Sequence, residues 1–293
     1  PISAFEADMK KSTLKRVLGK WSLTAIGVGA IIGGGIFVLT GTGAYYHAGP
    51  ALAISFVIAG IACVFAALCY SEFASILPVE GSAYAYAYGT IGEIFAWIIG
   101  WGLILEYAMG SMTVAVSWSG YFNKLLLKFG VSLPDWLTTD PASYTGEGFS
   151  MNLPAFLIVL LVISILIKGT QNAAKANNMI VILKVSAVLF VIIAGAFFIN
   201  FDNWSPFIPE ATQIIEKETT HNAYGLTGIV SGAAAIFFAY VGFDAVSTQA
   251  GEAINPKKDV PFAIIASLLI CTTLYILVSL VLTGMMNYQD FNP

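Results

Sequence analysis

The sequence predicts an all-α polytopic membrane protein organised around two interrupted helices. Hydrophobic residues make up 58% of its 293 positions and charged residues only 10%, with a mean hydropathy of +0.82. A soluble domain carries about 25% charged residues. The apolar residues gather in runs long enough for the roughly 20-residue crossing of a bilayer. Two of those runs, five apart in order, are interrupted by glycine where a membrane helix should be continuous. The net charge of −4 and pI near 5.1 do not identify partners, because orientation depends on where Lys and Arg fall.

Reading the runs in order gives seven segments, at about 22–47, 50–77, 90–123, 153–168, 177–200, 225–249 and 260–286. Lys10, Lys11, Lys15, Arg16 and Lys20 precede the first and place a segment 1–21 in the cytoplasm. No small-residue cleavage site follows, so this is not a cleavable signal. Alternating from there, Lys168, Lys175, Lys257 and Lys258 fall inside, and Lys124, Lys128 and Lys217 outside. With Lys184 set aside within segment five, nine basic residues lie inside and three outside. The long connections 124–152 and 201–224 are then extracellular. Asp202-Asn203-Trp204-Ser205-Pro206 predicts a turn with an interfacial tryptophan, and Ala211–Lys217 admits an amphipathic outer helix.

Segment one contains Gly27-Val28-Gly29-Ala30-Ile31-Ile32-Gly33-Gly34-Gly35-Ile36-Phe37. Each glycine costs a helix interior about 1 kcal/mol relative to alanine. Unwound backbone at membrane depth survives only against protein or a cavity. An opened helix here aims free N–H groups and a positive dipole end at whatever fills the gap, which suits a small anion. The alternative is a small-residue stripe for a close helix neighbour.

Segment six repeats the anomaly. Ile236-Phe237-Phe238-Ala239-Tyr240-Val241-Gly242-Phe243-Asp244-Ala245 sets Gly242 and an acid at mid-span. Because five is odd, breaks in segments one and six belong to units that cross the membrane in opposite directions, an inverted repeat. Residues 22–200 form the first unit and residues 225–293 begin the second. Completing the second needs three more helices, so the chain is expected to be part of a longer protein; a complete seven-helix protein is the alternative.

Several acids and one lysine demand explanation. Glu106, in Trp101-Gly102-Leu103-Ile104-Leu105-Glu106-Tyr107, lies mid-span, where a carboxylate is partnered or protonated. It either receives a cationic substrate group or moving proton, or is a buried structural acid. Lys184 is flanked by apolar residues on both sides, so it cannot easily snorkel. Glu72 and Glu80 lie near the cytoplasmic mouth, where gating and plain solvation are both open. Asp244 follows the second break, where a negative charge favours a helix start; capping and substrate contact are alternatives. His47 and His221 read as outer surface residues. Cys63, Cys69 and Cys271 read as buried thiols, without metal-ligand spacing. No cofactor, metal, nucleic-acid or nucleotide motif is found, and no intramembrane catalytic set.

Gly33-Gly34-Gly35-Ile36-Phe37-Val38 with Gly41 and Ala48-Gly49-Pro50-Ala51 resembles helix one of the amino acid–polyamine–organocation transporters, especially the cationic amino acid transporter branch. Tyr70-Ser71-Glu72-Phe73 with Pro78-Val79-Glu80-Gly81-Ser82-Ala83-Tyr84 is similar to the family's junction of helices two and three. Phe238–Asp244 with Asn255-Pro256 is similar to its helix six and the loop beyond. The resemblance implies a LeuT-type fold of about twelve helices, with helices one and six discontinuous and the first seven present here.

It further implies that N–H groups of Gly33, Gly34 and Gly35 bind a substrate carboxylate. Carbonyls of Ile31, Phe238, Ala239 and Val241 would meet the ammonium, and Phe238 would close over it, ordinary core packing being the alternative for that side chain. Lys184 would place its ammonium where sodium-coupled relatives hold sodium, against carbonyls near Gly29 and Ala30. It would then either carry the coupling proton or act as a fixed internal cation. The function expected is secondary active, proton-coupled uptake of cationic or small neutral L-amino acids across the cell membrane, by alternating access. An exchanger without proton coupling and a non-transporting sensor are the alternatives. Expected partners are the amino acid, protons and membrane lipids.

Overall fold

The computed structural model describes residues 16–77, 79, 81–141, 143–146, 148–167, 170–216 and 219–291. Lys10, Lys11, Lys15, Glu80, Lys168 and Lys217 fall outside the described residues, as do the side chains of Lys175 and His221. In chain order the helices are α1 (Lys20–Ile31), α2 (Leu52–Ile76), α3 (Ser82–Thr90), α4 (Glu93–Lys128), α5 (Leu153–Ile167), α6 (Thr170–Ala196), α7 (Gly225–Ile236) and α8 (Pro256–Met285). A hairpin of β1 (Thr212–Glu216) and β2 (Thr219–Ala223) precedes α7. The chain divides into two compact units, Pro1–Trp101 with Asn178–Pro293, and Gly102–Asn177.

Five stretches among the described residues are long and apolar enough to cross a membrane: Thr40–Ile76, Glu93–Lys128, Asn177–Ala196, Gly225–Glu252 and Pro256–Met285. This is short of the seven segments expected, and the reason is length. The glycine run stops α1 after 12 residues, and α5 has only 15, about 22 Å at 1.5 Å per residue against a hydrocarbon core of about 30 Å.

In the first unit α8 packs against both α2 and α1. Apolar surface gains nothing by leaving lipid for another helix, so membrane helices associate through close packing at small residues. A Cβ added to Gly27 would lie 2.6 Å from Ser267 Oγ, and one added to Gly60 would lie 2.8 Å from Thr272 Cγ2. Both substitutions would push α8 away. Leu23, Phe56, Ile236, Tyr240, Ile264, Leu268 and Tyr275 are fully buried in the core between these helices. The rings of Phe56, Tyr240 and Tyr275 stand 5.3–6.4 Å apart. Cys63 and Cys271 are buried free thiols, whereas Cys69 is exposed, contrary to expectation.

The turn expected at Asp202–Pro206 is a 3₁₀ turn that begins and ends earlier, over Phe201–Trp204, with Asn200 Oδ1 accepting the Asp202 N–H at 3.1 Å. Asn203 Nδ2 donates to the Gly284 carbonyl at 2.7 Å and Trp204 Nε1 to Thr283 Oγ1 at 3.2 Å, fixing the loop to the end of α8. The outer helix admitted at Ala211–Lys217 is instead β1. Thr212, Ile214 and Ile215 are β-branched, and their backbone finds antiparallel partners at Ala223, His221 and Thr220.

In the second unit, Asn152 caps α5: its Oδ1 accepts the Ala155 N–H at 3.1 Å and the Ser119 hydroxyl of α4 at 2.6 Å. One side chain thus starts α5 and ties it to α4.

Candidate functional site at two helix breaks

α1 ends at Ile31, and Ile32 turns to φ −71, ψ 90. The last four carbonyls of any helix lack intrahelical donors. At membrane depth water does not supply them, so the protein must. The Ile32 N–H takes the Val28 carbonyl at 2.9 Å. Lys184 Nζ, from α6, donates to the carbonyls of Gly29 at 3.1 Å and Ile32 at 2.8 Å. The hydroxyl of Tyr275, from α8, lies 2.9 Å from the Ile31 carbonyl. The end of the broken helix is therefore capped from two neighbouring helices.

Lys184 reaches this position because α6 approaches α1 closely one turn earlier. A Cβ on Gly29 would collide with the Val181 side chain, and residues three apart share a helix face. A cation at a helix C-terminus is favoured by about 0.3–2 kcal/mol through the dipole. Hydrogen bonds to a charged donor contribute about 1.5–3 kcal/mol each. The two bonds therefore outweigh the dipole.

Beyond the break the chain resumes as a π-turn over Gly35–Leu39, a single α-turn over Thr40–Gly43 and a second π-turn over Ala44–Ala48. Among the described residues no acceptor is found for the N–H groups of Gly33, Gly34 and Gly35. Gly34 sits at φ −64, ψ −22, which any residue adopts. Gly35 is different, because a Cβ there would lie 2.7 Å from the Ala239 methyl carbon and 2.8 Å from the Ala239 backbone. Glycine is needed at Gly35 for space, and the space is where the second break touches the first.

That second break begins as α7 gives way to a 3₁₀ turn at Phe237–Tyr240. It then passes through an extended Val241 (φ −54, ψ 133) and a left-handed Gly242 (φ +111). Gly242 is fixed twice: its φ excludes other residues, and a Cβ would stand 2.9 Å from the Ala30 carbonyl oxygen. The Ala239 carbonyl lies 2.9 Å from the Tyr275 hydroxyl, and the Phe238 carbonyl accepts the Val241 N–H at 3.2 Å. The Phe238 side chain is 45% exposed and stands outside the buried core.

The structure thus brings Ile31, Gly33, Gly34, Gly35, Ala239, Val241 and Lys184 to one place in the first unit, with Phe238 beside them. Asp244 is 4% exposed, just past Gly242, and accepts the Ser82 hydroxyl at 3.3 Å at the start of α3. Glu72 is exposed near the end of α2. Glu106 is partly buried on α4 in the second unit. His47 departs from the surface position expected of it: it is partly buried, with Nδ1 3.1 Å from Ser231 Oγ. Sequence reasoning missed Tyr275. The available signal was a tyrosine amid aliphatic residues at membrane depth, since a buried phenol seeks a partner.

The amino acid permease family model matches residues 18–292. The chain is 46% identical over 292 residues to a methylthioribose transporter of Bacillus subtilis, covering 100% of this chain and 60% of that protein. It is 48% identical over 285 residues to a branched-chain amino acid permease of the same organism, covering 97% of this chain and 58% of the relative. It is also 35% identical over 295 residues to human cationic amino acid transporter 4, covering 100% of this chain and 44% of that protein. The chain therefore spans about half the length of the relatives it matches.

Proposed function

Because the chain belongs to the amino acid permease family, we propose that it carries the substrate-binding half of a secondary active transporter. The transporter moves L-amino acids, cationic or small neutral, by alternating access, with a proton as the coupling ion. Residues 22–200 and 225–293 belong to two inverted five-helix repeats of a LeuT-type fold in the cell membrane, with the N-terminus cytoplasmic. The substrate carboxylate sits on the N–H groups of Gly33, Gly34 and Gly35, and the ammonium on the carbonyls of Ile31, Phe238, Ala239 and Val241, with Phe238 closing over it. Lys184 holds the coupling proton, and Asp244 fixes the half-helix after the second break.

One observation carries this reading: the N–H groups of Gly33, Gly34 and Gly35, for which no acceptor is found among the described residues, lie beside convergent carbonyls of both breaks, a donor set and an acceptor set joined where Gly35 meets Ala239. Lys184 also favours a second reading, because a lysine that caps a helix end serves equally well with its charge fixed. An exchanger without proton coupling would use it so. Requirement for substrate on the far side of the membrane separates the two.

Competition for radiolabelled L-alanine uptake by arginine, lysine, leucine, alanine and methylthioribose, at two external pH values, tests the substrate class. Amino acids are expected to compete, more strongly with an inward proton gradient, and methylthioribose not. Competition by methylthioribose alone would overturn the reading. Glu106, by its chemistry alone, is the acid proposed to recognise cationic side chains, with a moving proton or a structural acid as its alternatives. Glu106→Gln is expected to weaken arginine and lysine uptake by about tenfold, the value of one charge-assisted hydrogen bond, and to leave alanine within about twofold. Unchanged uptake of every amino acid would remove Glu106 from recognition.

A further inference from the structure

We propose that Tyr275 is the positioning residue of the ammonium subsite: its hydroxyl sets the spacing of the Ile31 and Ala239 carbonyls and leaves one of them open to an incoming N–H. The proposal rests on the amino acid reading above and deepens it.

Tyr275 is 0% exposed, and its hydroxyl oxygen lies 2.9 Å from the carbonyl oxygens of Ile31 and Ala239, one from each break. A phenol carries one proton. At any moment it serves one carbonyl and leaves the other facing a lone pair. Among the described residues no second donor reaches either carbonyl. A buried acceptor is satisfied most favourably by a donor, so an incoming N–H group finds an acceptor at this pair of carbonyls.

Geometry narrows the ligand further. Two acceptors each 2.9 Å from one hydroxyl oxygen lie at most about 5.8 Å apart, so a small donor group that reaches one of them is also close to the other. A primary ammonium has three N–H groups and can fill the open acceptor while the hydroxyl keeps the other. A carboxylate or a thioether brings no donor and cannot.

The ring is held so that the hydroxyl does not swing away. Its centroid stands 5.4 Å from Phe56 and 5.3 Å from Tyr240. The hydroxyl of Tyr240 in the same cluster is spent on the Phe56 carbonyl at 2.9 Å, away from the breaks. Tyr240→Phe is therefore a matched control that removes a buried hydroxyl without touching either break carbonyl.

The test uses the full-length protein in liposomes and measures KM and Vmax for L-alanine and N-methyl-L-alanine, the latter lacking one N–H. Tyr275→Phe is expected to raise the alanine KM about fivefold, the value of the one neutral hydrogen bond by which the phenol holds a break carbonyl. Vmax should stay within about twofold, and Tyr240→Phe should leave KM within about twofold of wild type. Without the phenol the ammonium must serve both carbonyls, so the KM ratio of N-methylalanine to alanine is expected to grow at least threefold in Tyr275→Phe. A merely structural tyrosine would leave that ratio unchanged. Should Tyr275→Phe fail to insert, Tyr275→His, which keeps a ring-borne donor, takes its place and must hold KM within about threefold of wild type. An unchanged KM or an unchanged N-methyl ratio overturns the proposal while wild-type transport stands. A wild type that carries no amino acid overturns the functional reading instead.

Discussion

Lys184→Ala is expected to lower uptake driven by an inward proton gradient by roughly 100-fold or more, while counterflow of amino acid against amino acid survives at reduced rate. Two effects combine. The substitution strips the Gly29 and Ile32 carbonyls of the ammonium that holds them at 3.1 and 2.8 Å, at about 1.5–3 kcal/mol each. Each 1.4 kcal/mol is a factor of ten in an equilibrium constant, so the capped helix end is strongly weakened. The substitution also deletes the group whose proton is proposed to bias the inward- and outward-facing states. Uptake under an imposed pH gradient, measured beside counterflow at equal pH, separates these effects. Gradient-driven uptake that persists in Lys184→Ala would contradict proton coupling through this residue. Loss of both activities would make the lysine a helix cap before anything else.

Gly35→Ala is expected to abolish detectable substrate binding. The added methyl would sit 2.7 Å from the Ala239 methyl carbon and 2.8 Å from the Ala239 backbone, where carbon atoms prefer about 3.5–4.0 Å. Neither neighbour is the end of a flexible side chain. The two breaks must therefore move apart by about 1 Å, a displacement that disturbs a site organised to within about 0.5 Å. Adding Ala239→Gly removes the clash with the methyl group and leaves the clash with the backbone, so the double variant is expected to recover only part of the binding. Radioligand binding to the purified single and double variants checks both statements. Gly34→Val is the companion test: its backbone is one that valine adopts, so loss of binding there reports the filled amide face. Wild-type binding in Gly34→Val would return the glycine run to plain packing.

Much of this was legible in the residues. The two breaks are visible because three consecutive glycines, and a glycine two residues before an acid, fit poorly in a continuous membrane helix. Lys184 could be singled out because a charge at membrane depth must have a partner. The nature of that partner needed coordinates: sequence cannot say which carbonyls a flexible four-carbon stem reaches. Tyr275 stayed hidden for a related reason, since a tyrosine in an apolar helix reads as core until its hydroxyl is seen between two carbonyls. The β1–β2 hairpin was missed because Thr212–Glu216 satisfies a short amphipathic helix as well as a strand, and pairing with Thr219–Ala223 decided between them. The role of the glycines was also sharpened. Gly35 is required by its closeness to Ala239, while Gly34 has ordinary helical dihedrals.

The central claim is that the two breaks together read both ends of an amino acid's backbone. The most direct measurement is competition against radiolabelled L-alanine binding by L-alanine, by L-alaninamide, which lacks the carboxylate, and by L-lactate, which lacks the ammonium. The intact amino acid is predicted to displace the label with each analogue weaker by roughly 100-fold or more, the loss of about two charge-assisted hydrogen bonds. Displacement by either analogue as effective as that by alanine would contradict the account.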